Sequence, residues 1–248
     1  VSGRGIGMLR ENGIEVITGV LADEARPGLA GFLTRIVKKR PYVILKLALS
    51  ADGKIAAGPG ERTTITGQPF WQRVHLLRAE SDAIMVGAQT VRIDDPSLTC
   101  RLPGLEDRSP VRIVAGAAPE NSRLAQTADK IPVWQLAPSE AQNVHTLNVR
   151  TGPEGRIDLA SALAAIAQKG INQLLVEGGA QLARSLLEAD LADEVWLAAA
   201  PHELGPGGVD ALAGLPLSFV TGDDERFILC RKEAIGADTL NVYLRKKP

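Results

Sequence analysis

Cysteine is nearly absent from this chain. Cys100 and Cys230 stand far apart, with no Cys-x-x-Cys pair. That argues against a disulfide framework and against a zinc site built on cysteine ligands, and reduced thiols fit a cytoplasmic protein. Excess charge of either sign is missing too. The 28 Lys and Arg balance 29 Asp and Glu to a net charge of −1. No general basic field exists to attract nucleic acid, so an anionic ligand must be held by locally placed cations. No apolar run reaches the ~18 residues needed to span a bilayer, and no signal-peptide pattern is seen.

What is present is an ordinary globular composition. Apolar residues make up 45% of 248, enough for a substantial core in one large domain or two small ones. Gly5 to Asn12 reads as a helix with Ile6, Met8 and Leu9 apolar, and Ile14 to Ile17 as a strand. Residues 22–39 read as a partly helical connector with Pro27 and Gly28 inside it. Tyr42 to Leu49 is nearly all apolar, as a strand buried on both faces should be. Phe70, Val74 and Leu77 give residues 67–80 the spacing of an amphipathic helix. Strands are predicted near 83–86, 111–115 and 131–136. Asp158 is placed to cap a helix over Leu159 to Gln168 that Gly170 ends. Leu174 to Val176 reads as a strand, Gly178-Gly179 as a turn, Gln181 to Ala189 as a helix and Glu194 to Ala200 as a strand. Residues 226–233 and 239–245 form an antiparallel hairpin around Gly236. Alternating strands and helices predict a mixed, mostly parallel sheet with helices on both faces.

The densest chemistry lies in Ile84-Met-Val-Gly-Ala-Gln-Thr-Val-Arg-Ile-Asp-Asp-Pro-Ser-Leu-Thr-Cys-Arg101. An apolar strand stops at Gly87 and hands over to a polar turn carrying Asp94 and Asp95. Open α/β sheets build ligand crevices at such carboxyl ends, although a solvated strand-to-helix turn would look the same. Lys46 interrupts an apolar strand, which is unfavourable unless its ammonium meets an anion or water. It reads equally as an edge lysine that snorkels to solvent. Glu177 precedes Gly178-Gly179, where a pyrophosphate can approach the backbone and the amino end of the next helix. The pattern is not Gly-x-Gly-x-x-Gly, so no Rossmann fingerprint is present.

Gly87 to Arg101 matches Gly-x-x-Thr-Val-x-x-Asp-Asp-Pro-x-Leu-Thr-x-Arg at every fixed position. With Arg40-Pro-Tyr-Val-Ile-Leu-Lys-Leu-Ala-Leu-Ser-Ala-Asp-Gly53 and Leu174-Leu-Val-Glu-Gly-Gly-Ala180, it resembles the reductase domain of the bacterial riboflavin-biosynthesis deaminase/reductase. The likeness runs from about Arg40 to the C-terminus. It implies a dihydrofolate-reductase-like three-layer α/β sandwich, commonly dimeric, with residues 40–248 as the reductase domain. Residues 1–39 would be the remnant of a preceding deaminase domain plus connector, a deaminase being expected in the full-length protein. That domain's His-x-Glu and Pro-Cys-x-x-Cys zinc ligands are absent here, so these residues carry no deaminase chemistry and no metal is expected.

The same resemblance assigns roles. Lys46 would reach the substrate's ribose hydroxyls and polarise the opened sugar. Asp94 would touch both ligands and handle a proton, and Glu177 would face the substrate. Arg78 and Arg101 would clamp a 5′-phosphate through forked guanidinium donors, with Thr66 and Leu98 as further substrate contacts. NADPH would lie along Gly179, Ala180, Gln181, Leu182, Ala183, Arg184 and Ser185, touching Ala48, Thr90 and Gly116. The run Gly60-Glu61-Arg62-Thr63-Thr64-Ile65-Thr66 departs from the family's Gly-Glu-Ser-x-Trp-Ile-Thr. Arg62 replaces a small substrate-contacting serine and has the charge to meet a phosphate of either ligand. Thr64 replaces an aromatic that leans on the cofactor, so stacking area is lost. The implied reaction is NADPH-dependent reduction of 5-amino-6-(5-phosphoribosylamino)uracil. The rivals are a same-fold reductase of another pteridine or pyrimidine, and a non-catalytic nucleotide-binding module.

Overall fold

In the strand Tyr42–Leu49 (β1), Val43, Leu45, Leu47 and Leu49 enter one core while Ile44 enters another. Successive side chains of a strand point to opposite faces, so β1 is covered on both sides, as its nearly continuous apolar run predicts. The computed structural model describes residues 3–137, 144–152, 155–222 and 226–246. Its further strands are β2 (Lys54–Ala56), β3 (Ala83–Gly87), β4 (Val111–Ala115), β5 (Val133–Leu136), β6 (His145–Leu147), β7 (Gln173–Glu177), β8 (Glu194–Ala199), β9 (Val209–Asp210), β10 (Phe227–Ile235) and β11 (Asp238–Arg245). Its helices are α1 (Arg4–Glu11), α2 (Ala22–Ala25), α3 (Ala30–Lys38), α4 (Gln68–Glu80), α5 (Ala88–Asp94), α6 (Arg123–Gln126), α7 (Leu159–Gln168), α8 (Ala180–Glu188) and α9 (Ser218–Thr221).

A nine-stranded sheet runs in the order β10-β11-β8-β1-β7-β3-β4-β5-β6. From β8 to β6 neighbouring strands are parallel, whereas β11 joins β8 and β10 antiparallel. Ala162, Leu163 and Ile166 of α7 and Ala183, Leu186 and Leu187 of α8 pack on the face that receives Leu45, Met85 and Val176. Phe70, Val74 and Leu77 of α4, Val91 of α5 and Leu124 of α6 pack on the face that receives Ile44, Ile84 and Leu175. This is the three-layer sandwich expected from the sequence, closed by the expected hairpin.

Local chemistry sets several boundaries. The Asp158 carboxylate accepts from Ala160 and Ser161 N–H at 3.1 and 3.2 Å, giving α7 the predicted N-cap. Pro69 sits in the first turn of α4, where its missing N–H has no role. Gly236 turns the β10–β11 hairpin at φ +63°, a conformation that glycine adopts without strain.

One expected element does not form. Residues 14–17 are not a strand; Ile14 and Ile17 are 51% and 73% exposed. A strand needs a neighbour for its backbone groups, and among the described residues none pairs with this segment. The short strands β2, β6 and β9 and the helices α5, α6 and α9 were not drawn from the sequence.

Candidate active site

Because strand side chains alternate, Lys46 lies on the same face of the sheet as Ile44, the face covered by α4. Glu177 lies on that face too, next after Leu175. The parallel register pairs Lys46 with Glu177 across β1 and β7. Both therefore meet where β7 ends beside β1, which runs on to Leu49. There a cavity of about 740 Å³ opens, within the range of small-molecule sites. Its wall is built from β1, β3 and β7 ends, α4, α5, the start of α8, the loop 58–66 and the β2–β9 flap.

The α4 wall carries a buried ion pair. Arg78 Nε and Nη2 donate to the two carboxylate oxygens of Glu177 at 2.7 and 2.8 Å, and Nη1 donates to the Thr99 carbonyl at 3.0 Å. Burial pushes the Glu177 carboxyl up, but the Arg78 charge and its hydrogen bonds, with Lys46 behind them, outweigh burial and hold it below its ordinary 4.5. Beside this pair Lys46 is 7% exposed. Its Nζ lies 5.7 Å from the ring centroids of both Phe70 and Trp71, and among the described residues it has no hydrogen-bond acceptor. Burial first and Arg78 second pull the ammonium below the ordinary 10.5, against Glu177. A buried cation without an acceptor, aimed at a cavity, is a donor waiting for a ligand.

Asp94 closes α5 at the cavity, half-buried. Burial raises its carboxyl above 3.8, and the Arg62 charge pulls it back. The neighbouring Asp95 is turned away at φ +40° and accepts the Arg123 N–H at 2.7 Å, tying the loop to α6. This is the turn-ordering role its position suggests.

The opposite wall begins at Gly178 and Gly179, with φ of +79° and +83°. A Cβ on Gly179 would meet Thr90 Oγ1 at 3.2 Å, so glycine is needed for both space and conformation. Gly179 starts α8 with no side-chain cap. The N–H groups of its first turn have no intrahelical acceptor, and Ala180, Gln181 and Leu182 line the cavity. An uncapped helix start behind a diglycine, with Thr90 beside it, fits the diphosphate of a dinucleotide.

Lys46, Asp94, Glu177, Arg62, Thr66, Arg78, Leu98, Ala48, Thr64, Thr90, Gly179, Ala180, Gln181 and Leu182 are thus brought together. Other expected contacts are not. Arg101 is exposed and rests on His75, with Nε and Nη2 each 3.4 Å from the ring Nε2. Arg78 has given its forked donors to Glu177, so the two arginines form no open clamp. Ala183 is buried in the core, Arg184 donates to Ala213 O and Glu188, and Ser185 donates to Gln181 O. The helix turn points Ala183 into the core, and Arg184 and Ser185, one turn on from Ala180 and Gln181, lie about 6 Å farther along the axis from the strand ends. Gly116, at φ +116°, packs against Ala88, where a Cβ would come within 3.0 Å. Two residues that sequence reading passed over belong here: Trp71 on the wall and His75 behind it. Their signal was a second helical stripe, Trp71, His75 and Arg78, beside the apolar one.

Residues 41–238 match the family described as the RibD C-terminal domain. The chain belongs to this family. It is 37% identical to the riboflavin biosynthesis protein RibD of Actinobacillus pleuropneumoniae, over 100% of this chain and 68% of that protein. It is 37% identical to its Chlamydia pneumoniae counterpart, over 83% and 58%. The chain therefore spans roughly three fifths to two thirds of the length of these relatives. Among solved structures it superposes on Acinetobacter baumannii RibD with a TM-score of 0.82 at 27% identity, over 99% of this chain and 69% of that one. A Thermotoga maritima diaminohydroxyphosphoribosylaminopyrimidine deaminase/5-amino-6-(5-phosphoribosylamino)uracil reductase gives 0.82 at 30%, over 99% and 68%. The Saccharomyces cerevisiae reductase Rib7 shares the fold, with a TM-score of 0.65 at 19% identity, over 89% of this chain and 99% of that one. A reductase family of this fold implies a nicotinamide cofactor.

Proposed function

We propose that this RibD-family domain reduces 5-amino-6-(5-phosphoribosylamino)uracil to its ribitylamino counterpart with NADPH. The observation that carries the reading is the buried Lys46, without an acceptor among the described residues, beside the Arg78–Glu177 pair and across one cavity from the uncapped start of α8. Gly178, Gly179 and the first turn of α8, with Thr90, would hold the dinucleotide, which when bound supplies a hydride. Lys46, Asp94, Thr66 and Leu98 would hold the sugar. In the ring-opened sugar C1′ is double-bonded to nitrogen; reduction adds a hydride to C1′ and a proton to that nitrogen. The Lys46 ammonium polarises the opened sugar, and half-buried Asp94, its carboxyl raised, is suited to proton transfer. Orientation and fixed charge are what the chain contributes.

The phosphate needs a cation with donors to spare. Arg62 lines the cavity and makes no hydrogen bond among the described residues. Arg62→Ala is expected to raise the KM for the phosphorylated substrate about 10- to 100-fold, the worth of a charged hydrogen bond, with little change in NADPH affinity. Equal weakening of both ligands would count against Arg62 as the phosphate contact. The reaction itself is tested by following the NADPH absorbance band with the enzymatically prepared substrate. Oxidation that requires the phosphoribosylamino compound supports the reading; binding of NADPH without oxidation overturns it.

The same reading extends to the whole molecule. Residues 40–248 would be the reductase domain, with 1–39 as remnant and connector; none of residues 3–39 is buried. A deaminase domain would be joined to it in a longer cytoplasmic protein, as the fraction of the relatives' length that is matched suggests. Exposed Ile228, Leu229 and Leu244 on the terminal hairpin favour a homodimer through that edge.

A further inference from the structure

Aromatic residues are 4% of this chain, and Trp71 is the one aromatic side chain among the described residues lining the cavity. Its position follows from helical spacing. Phe70, Val74 and Leu77 bury the α4 stripe that faces the sheet. Trp71, His75 and Arg78, one residue on at each step, form the adjoining stripe, which passes the strand ends. The indole is half-buried, and its N–H makes no hydrogen bond among the described residues. No ring stacks face to face on it among the described residues. The His75 ring is tilted 41° at 6.5 Å, and Lys46 Nζ is 5.7 Å from its centroid. Thr64, on the neighbouring loop, offers no ring. A large flat side chain thus borders the cavity with part of its surface uncovered.

We infer that Trp71 is the platform on which the planar heterocyclic base of the substrate stacks, and that it selects a base-bearing sugar phosphate over the sugar phosphate alone. This rests on the reading under Proposed function. The ring's neighbour decides which ligand it serves, Lys46 Nζ being 5.7 Å from the ring centroid. The uncapped α8 start and its diglycine belong to the α8 layer, whereas Trp71 and Lys46 belong to the α4 layer. The ring therefore stands with the lysine that meets the sugar, within one base-to-sugar reach. A neighbouring ammonium suits an electron-rich base stacked there.

The test uses Trp71→Leu and Trp71→Tyr, together with a Trp134→Phe/Trp196→Phe background in which Trp71 is the sole fluorescent indole of three. Base–aromatic stacking is worth about 10- to 100-fold in affinity. Trp71→Leu should raise the KM for the substrate by that factor, and Trp71→Tyr should recover most of the loss. Inhibition by ribose 5-phosphate, which has no base, and the NADPH dissociation constant should stay unchanged. In the single-tryptophan protein the substrate should quench Trp71 fluorescence, and ribose 5-phosphate should not. An unchanged substrate KM overturns the inference. So does equal weakening of ribose 5-phosphate, which would mean Trp71 acts through Lys46, or a parallel loss of NADPH binding. If the wild-type protein does not oxidise NADPH with this substrate, the proposed reaction falls. The quenching titration needs no turnover and still decides Trp71: base-dependent quenching upholds it, and an unmoved signal ends it.

Discussion

Replacing Lys46 by methionine is expected to lower kcat/KM about 100- to 1000-fold while leaving the melting temperature unchanged or higher. The loss is that of one preorganised electrostatic contact in a water-poor site. The stability sign follows from burial. At 7% exposure and with no acceptor among the described residues, the ammonium destabilises the folded chain, and methionine keeps the length without the charge. The pH dependence has a definite sign. Lys46 holds its proton less tightly folded than at its ordinary 10.5. Between the folded value and 10.5 the unfolded chain binds more protons, so stability rises with pH across that window and is lost again as pH falls through the folded value. Activity runs the opposite way, since it needs the ammonium. The wild-type kcat/KM should have an alkaline limb that starts below 10.5, and both trends should vanish in Lys46→Met. Kinetics and thermal melts over pH check this; a variant with wild-type turnover would remove Lys46 from the site.

Glu177→Ala should be the reverse case, losing stability and activity together. Truncation strands Arg78, whose side chain is 6% exposed, with forked donors and no carboxylate. Breaking a buried pair on one side typically destabilises by roughly 3–5 kcal/mol. The change also removes the Glu177 charge that supports the Lys46 ammonium, so the lysine discharges at still lower pH. The double variant Arg78→Met/Glu177→Leu should recover most of the stability, because neither charge is left buried alone, yet none of the activity. Urea denaturation of Arg78→Met, Glu177→Leu and the double variant gives the coupling directly. A loss under about 1 kcal/mol for Glu177→Ala would mean the pair is solvated and the wall is not as described.

The sheet, the α7 cap and the terminal hairpin were legible because each is a local pattern: a continuous apolar run, Asp before an apolar helix, two runs around a glycine. The stretch 87–101 was legible because strand, glycine and Asp94 lie in one segment, so the strand end delivers them to the cavity together. The Arg78–Glu177 pair was not. The partners are 99 positions apart, and a helix stripe does not say which strand it will cover. That hidden contact is why Arg78 read as an open phosphate clamp. Arg101 read the same way because its spacing from Asp94 says nothing of the His75 ring that receives it. Residues 183–185 followed 179–182 in a motif but not onto the wall, since the helix turns Ala183 into the core and carries Arg184 and Ser185 a turn farther along its axis. Trp71 was passed over beside the stronger Phe70 stripe. Residues 14–17 failed as a strand because alternation describes a face and cannot supply a neighbour.

Turnover requires two ligands to meet over the central strands, one on the α8 start and one on Lys46. A crystal structure of the protein with NADPH and the ribitylamino product tests this most directly. The expected result is the dinucleotide phosphates on the N–H groups of Ala180 to Leu182, with a ribityl hydroxyl within hydrogen-bond distance of Lys46 Nζ. Product bound with Lys46 still without an acceptor, or the dinucleotide seated away from Gly179, would contradict it.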